Sequence, residues 1–217
     1  MLEQILIAKV FNFGGICSGS AFGLLRRIPA GFIRIDGAGA GDSERRDMAK
    51  GQGNAAFKAQ LIIPEHRQLY EYWLLKAAGR PKPDKRDISP AHIPRLLPNI
   101  SLIEVEMPGE RYRVRLAGTR LRDVHDCETT GLYLDELDWG DKRDYWLAAY
   151  HRIAEEGKPA QGVVRGPRTQ KEHLVQFWLK LPLTFGGDRV GMILCYDAFL
   201  PGSEVFETIE EKLAAAR

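Results

Sequence analysis

The sequence is short of everything that would announce a chemistry. Its 217 residues hold three cysteines, Cys17, Cys127 and Cys195, with no Cys-x-x-Cys pair among them. That excludes a thiolate zinc site and a disulfide framework, and it fits a reducing cytoplasm. No Gly-x-Ser-x-Gly elbow, phosphate-binding glycine loop or His-Glu-x-x-His helix is present. Charge of one sign is missing too: 31 Lys and Arg against 29 Asp and Glu, for a pI of 8.4. A nucleic-acid binder needs a basic stripe, so nucleic acid is not an expected partner. The longest uncharged run, Val10 to Leu25, is shorter than the ~20 residues of a membrane helix and is broken by glycines. It is also a poor signal peptide, with Glu3 ahead of it and Arg26-Arg27 behind it. No membrane association is expected.

What is present suits a soluble globular chain, 44% hydrophobic and long enough to bury a core. The length gives one domain plus an extension. Gly37 to Gly53 (GAGAGDSERRDMAKGQG) reads as flexible, and Met48 is an alternative start. Residues 1–56 are therefore expected to be disordered or untranslated. Residues 57–86 are read as an N-terminal helix and linker, 87–200 as the main domain and 201–217 as a final helix.

Pro64 opens an amphipathic helix whose stripe is Leu69, Trp73, Lys76 and Ala77, with Tyr72 beside it and Gly79 to end it. The proline- and charge-rich RPKPDKRDISP then reads as a linker. Ile100 to Met107 and Arg111 to Ala117 form a hairpin around Pro108-Gly109-Glu110. Alternation puts Tyr112, Val114 and Leu116 on one face, and Arg111, Arg113 and Arg115 on the other. Thr119 starts a short helix, and Gly131 to Leu137 suggests another turn. Asp141 to Glu156 is the strongest helix, with Trp146, Ala149, Tyr150 and Ile153 inward and Gly157 as its stop. Strands follow at Ala160 to Gly166, Leu174 to Thr184 and Val190 to Phe199, the last two joined through Phe185-Gly186-Gly187-Asp188. They are apolar on both faces, so each face needs a cover. The middle helices supply one. The helix around Trp73, or a second subunit, supplies the other.

The motifs YEYW (Tyr70 to Trp73), DISP (Asp87 to Pro90), IPRLLPNISLIEVE (Ile93 to Glu106) and YRVRLAGT (Tyr112 to Thr119) come in a fixed order. TGLYLDEL (Thr130 to Leu137) and LKLPL (Leu179 to Leu183) continue it. Together they resemble the Per-Arnt-Sim (PAS) sensor family, in particular its small stand-alone bacterial members. The resemblance covers about Leu61 to Phe199. It implies an α+β fold, a five-stranded antiparallel sheet with helices on one face, to which the N-terminal amphipathic helix is added. It implies no particular ligand.

Each candidate chemistry has a plainer competitor. A haem-binding relative would carry its axial histidine on the long helix, but His151 lies about 140° around the helix from Trp146, off the apolar stripe. A flavin photosensor would carry an Asn-Cys-Arg-Phe-type motif, which HDCETTG around Cys127 does not match. Haem and covalent flavin are therefore not expected, and the cofactor is left open. His125, Asp126, Cys127 and Glu128 are adjacent and point different ways, as in a polar loop rather than a metal site. Cys195 with His173 would make a poor hydrolase pair, because Cys195 sits in an apolar strand. Arg111, Arg113 and Arg115 make either a solvated face or a docking site for an acidic partner. Trp146, Tyr150 and Trp178 are the expected walls of any ligand cavity. Tyr72 and Trp73, with the three arginines, are the candidate partner-binding residues.

The resulting expectation is a cytoplasmic, non-enzymatic PAS module for sensing or protein interaction. It is expected to be a homodimer and, with no effector attached, to act on a signalling partner in trans. The alternative is a protein that binds a small molecule or cofactor between sheet and helices.

Overall fold

The computed structural model describes residues 41–106, 111–167, 171, 173–203 and 205. The chain divides into two units, Met1–Glu44 and Arg45–Arg217, and the second contains the sheet. The run from Val10 to Leu25, the turn at residues 108–110 and, except for Val205, the final helix expected from Glu204 onward lie outside the described residues.

Helix α1 spans Gly41–Gln60 and α2 spans Pro64–Ala77. Strands β1 (Ile100–Glu106) and β2 (Arg111–Ala117) precede α3 (Thr119–His125) and α4 (Arg143–Glu156). Strands β3 (Ala160–Arg165), β4 (Leu174–Thr184) and β5 (Val190–Pro201) complete the sheet. Its five strands run in the order β2-β1-β5-β4-β3, every neighbouring pair antiparallel. This is the expected architecture. Among the described residues no helix is long and apolar enough to cross a membrane.

Alternation along β4 explains why both faces are covered. Phe177, Leu179, Leu181 and Leu183 point one way and are buried. Against that face lies α2, through His66, whose ring meets Tyr196 edge-on at 5.4 Å, and through Trp73. Gln176, Trp178 and Lys180 point the other way, toward α4. There Trp146, Ala149, Tyr150 and Ile153 are buried, as their spacing predicts. Gly157 ends α4 at φ 61°, a conformation costly for other residues.

Three local expectations need correction. Residues 41–53 are helical, not flexible coil. The two internal glycines, Gly51 and Gly53, cost α1 about 1 kcal/mol each. The same helix gains contacts at its far end: Phe57 meets Tyr70 at 4.9 Å, Asn54 accepts a hydrogen bond from the Tyr70 hydroxyl, and Lys58 pairs with Glu71. Leu116 does not share a buried face with Tyr112 and Val114; it is 48% exposed. The pairing skips from Leu102↔Leu116 to Ile103↔Val114, so Arg115 is an extra residue and the alternation flips after it. Finally, the charged segment after α2 is pinned down. Asp84 bridges to Thr184, accepts the Arg86 amide and is locked to Asp87 in a capping box. The Arg86 guanidinium beside it holds its carboxyl down at about 2.

Candidate functional site

The face of the sheet under α4 is where the sequence places polar residues inside apolar strands. Lys180 and Asp197 are 1% and 5% exposed, and Gln176 and Ser101 are buried with them. Cross-strand register explains the grouping. Lys180 pairs with Cys195, Trp178 with Asp197 and Ser101 with Cys195, so all these side chains rise from one face. Buried charges are rare unless paired or functional.

Above them lies a cavity of about 280 Å³ between the sheet, α3 and α4. Its apolar wall includes Ile103, Val114, Leu134 and Trp146, and its polar floor Ser101, Gln176, Lys180 and Asp197. Lys180 Nζ donates to the Tyr150 hydroxyl at 2.9 Å. It also stands 4.3 Å from the Tyr150 ring centre, 4.9 Å from that of Trp146 and 5.4 Å from that of Trp178. Its ammonium therefore occupies an aromatic cage built by its own chain. Gln176 Nε2 donates to Asp197 Oδ1 at 2.8 Å. Among the described residues no ion pair joins Lys180 to Asp197 or to any other carboxylate. Burial pushes the Tyr150 hydroxyl well above its ordinary value and raises the Cys195 thiol. It also pushes the His125 imidazole down; His125 lines the cavity and meets Trp139 and Phe199 edge-on.

Of the expected cavity walls, Trp146 and Tyr150 are in place. Trp178 is not a wall. It lies behind them over Gly162, where the missing side chain leaves room for the indole, and its nitrogen donates to Tyr145 Oη at 3.1 Å. Reading these strands only for apolar residues passed over Lys180, Asp197, Gln176 and Ser101. The signal that finds them is a charged residue at same-face spacing inside LVQFWLKLPL and ILCYDAF.

The expected partner-binding residues are largely engaged within the chain. Trp73 is 2% exposed and its indole nitrogen donates to the Pro182 carbonyl. Tyr72 Oη accepts the Ser89 amide at 2.8 Å. Arg111 binds both oxygens of Asp135, at 2.9 and 3.0 Å, and reaches Glu136. Arg113 and Arg115 face Glu106 and Glu104 across the hairpin at 3.9 and 3.5 Å. Tyr133 lies between Arg111 and Arg113 and donates to Glu106 at 2.9 Å. The three arginines thus meet acidic groups from β1 and the TGLYLDEL segment. His151 is on the exposed side of α4, 3.4 Å from Glu155, and Cys127 is exposed. Among the described residues no group of His, Cys, Asp and Glu side chains is placed to hold a metal ion.

A family model described as PAS domain matches residues 62–194, more than half of the chain and all of the core strands except β5's last residues. The chain belongs to the PAS domain family. No curated protein sequence matches it. Among solved structures it is similar to a variant of the RsLOV protein, at 19% identity and TM-score 0.37 over 49% of this chain and 62% of that one. It is also similar to the Rhodobacter sphaeroides LOV protein (16% identity, TM-score 0.38, 52% and 69% covered). A third is an RNA-binding light-oxygen-voltage receptor (16%, 0.42, 58% and 37%). This PAS chain thus spans less than two thirds of the first and third of these proteins, and the likeness is one of fold alone.

Proposed function

We propose that this PAS domain is a non-enzymatic sensory module that binds a small molecule in the cavity under α4 and reports its occupancy to another protein. One observation supports the reading most. A buried cation and a buried carboxylate, Lys180 and Asp197, line a single cavity without pairing to each other. Keeping both desolvated is costly unless something else meets them. An apolar cavity with a few convergent polar groups is the usual form of a small-molecule site. Trp73 covers its own sheet, one of the two covers expected for that face.

The test is mass spectrometry of the purified protein before and after denaturation, joined to a melting screen against small metabolites. Ligand binding raises the melting temperature by mass action. A released compound, or a stabilising hit abolished by substitution of Lys180, is the expected result. No copurifying compound and no hit of any chemistry would return the protein to the reading of a pure interaction module.

A further inference from the structure

The cavity's charges also point to the kind of molecule it takes, an inference that rests on the ligand-binding reading above. The Lys180 ammonium carries three N–H donors, and the structure assigns it one hydrogen-bond acceptor, the hydroxyl of Tyr150. Burial favours the neutral phenol there, so that partner brings no compensating charge. The ring faces of Trp146, Tyr150 and Trp178 offset part of the cost of the buried cation. Lys180 also lines the cavity, and Tyr150 is the one hydrogen-bond acceptor it has among the described residues.

Asp197 is placed differently. One of its oxygens already accepts from Gln176 at 2.8 Å, and its main-chain carbonyl accepts from Asn99 at 2.6 Å. A ligand cation would have to enter a cavity whose aromatic cage is already filled by Lys180, and like charges repel strongly in a dry site. A ligand anion meets an ammonium with donors to spare, and the Gln176 amide bound to Asp197 offsets part of the repulsion from that carboxylate. The wall above is aromatic and aliphatic, with Trp146 and Trp139 5.8 Å apart between ring centres. The volume, about 280 Å³, lies at the small end for ligand cavities.

We infer that the cavity is built for a small aromatic carboxylate of one or two rings, its acid group on Lys180 Nζ and its ring against Trp146. Lys180 then acts as the specificity-determining residue, selecting an anion by a charge-assisted hydrogen bond.

The experiment compares three probes of one shape and different charge, namely benzoate, benzamide and benzylamine, and their naphthalene counterparts. Each is titrated by calorimetry into the full chain and into Lys180→Met, whose folding is checked by circular dichroism. The carboxylates should bind the parent about tenfold tighter than the amides, with the amines weakest. The Lys180→Met variant should bind acid and amide alike. The comparison within the parent chain stands even if the variant fails to fold. Amides equal to carboxylates, or amines tightest, would overturn the anion assignment while leaving the cavity as a ligand site. A copurifying compound without an acidic group would do the same. No binding by any probe, together with no copurifying compound, would overturn both the assignment and the ligand-binding reading beneath it.

Discussion

The indole nitrogen of Trp73 donates to the carbonyl oxygen of Pro182 at 3.0 Å, across 109 residues of sequence. The bond fixes α2 to the face of the sheet opposite the cavity. Pro182 lies beyond Lys180, the last β4 residue paired with β3, so the strand tolerates a residue without an N–H there. Trp73 also stacks on Tyr70, ring centres 6.0 Å apart and nearly parallel. A surface that would otherwise invite a second subunit is closed by the chain itself.

Trp73→Ala should therefore destabilise the fold by about 3–5 kcal/mol, the cost of emptying a fully buried large aromatic site. Trp73→Phe keeps part of the packing but loses the hydrogen bond and some ring volume, so its cost should be smaller, about 1–3 kcal/mol. Urea unfolding of the two variants gives both numbers. Size in solution should be unchanged in each. A fall in mass on substitution would place Trp73 in an interface between subunits.

Beneath the same helix, His66 is 2% exposed and its Nε2 has no hydrogen-bond partner. Burial lowers its folded-state value from 6.5 to about 3, although a hydrogen bond to the Tyr196 main chain pulls the other way. The unfolded chain takes up a proton near pH 6.5 and the folded chain does not. Stability is thus fully present above about pH 6.5 and is lost as the pH falls toward 3. The loss should reach a few kcal/mol by pH 4. His66→Phe should flatten this limb of the pH–stability curve; an unchanged slope would assign the acid sensitivity to other groups.

Period and punctuation were enough to find β4 to the residue, the inward stripe of α4 and the hairpin β1-β2, because each is locally determined. The features that sequence reading missed are set by distant partners. The helix that holds residues 41–53 meets α2 through Phe57 and Asn54, contacts with Tyr70 that no local pattern shows. The exposure of Leu116 depends on a bulge that only the pairing with β1 creates. For the site, aromatic residues were the conspicuous signal and located Trp146 and Tyr150. Lys180 and Asp197 stand four and two residues into same-face series with Gln176 and Cys195, a pattern visible once the strand register is known.

The arginines of β2 lead to a prediction about sheet stability. Each of the three meets acid groups from its own chain, at side chains 39–50% exposed, so each pair contributes at most about 1 kcal/mol. The double change Arg113→Glu, Arg115→Glu sets like charges beside Glu106 and Glu104, the neighbouring-strand acids that the two arginines meet off the direct pairing register. A destabilisation of about 1–2 kcal/mol is expected. Adding Glu104→Arg and Glu106→Arg should restore most of it, and 0.5 M salt should shrink the difference. Failure of the charge swap to rescue stability would show that the arginines act outside the hairpin, on a partner or a ligand.

Gly162 stands opposite Trp178 in the β3–β4 ladder, and a side chain there would collide with the indole. An added Cβ would lie 2.5 Å from the nearest ring atom and 2.8 Å from the ring nitrogen. The ring has little room to give way: Tyr145 accepts its N–H at 3.1 Å and Trp146 packs edge-on at 5.8 Å. Gly162→Ala should thus cost about 1–3 kcal/mol through overpacking. Gly187→Ala is the matched control, since nothing lies within 4 Å of its added Cβ. In a Trp178→Leu background the collision disappears, so Gly162→Ala should there cost clearly less, and the two changes should be non-additive. Denaturant midpoints of the four proteins in that cycle decide the matter. Equal costs in both backgrounds would mean that Gly162 is needed for its backbone rather than for the ring it accommodates. Non-additivity would instead confirm that a residue without a side chain holds Trp178 behind Lys180, which is where the cage of the buried ammonium begins.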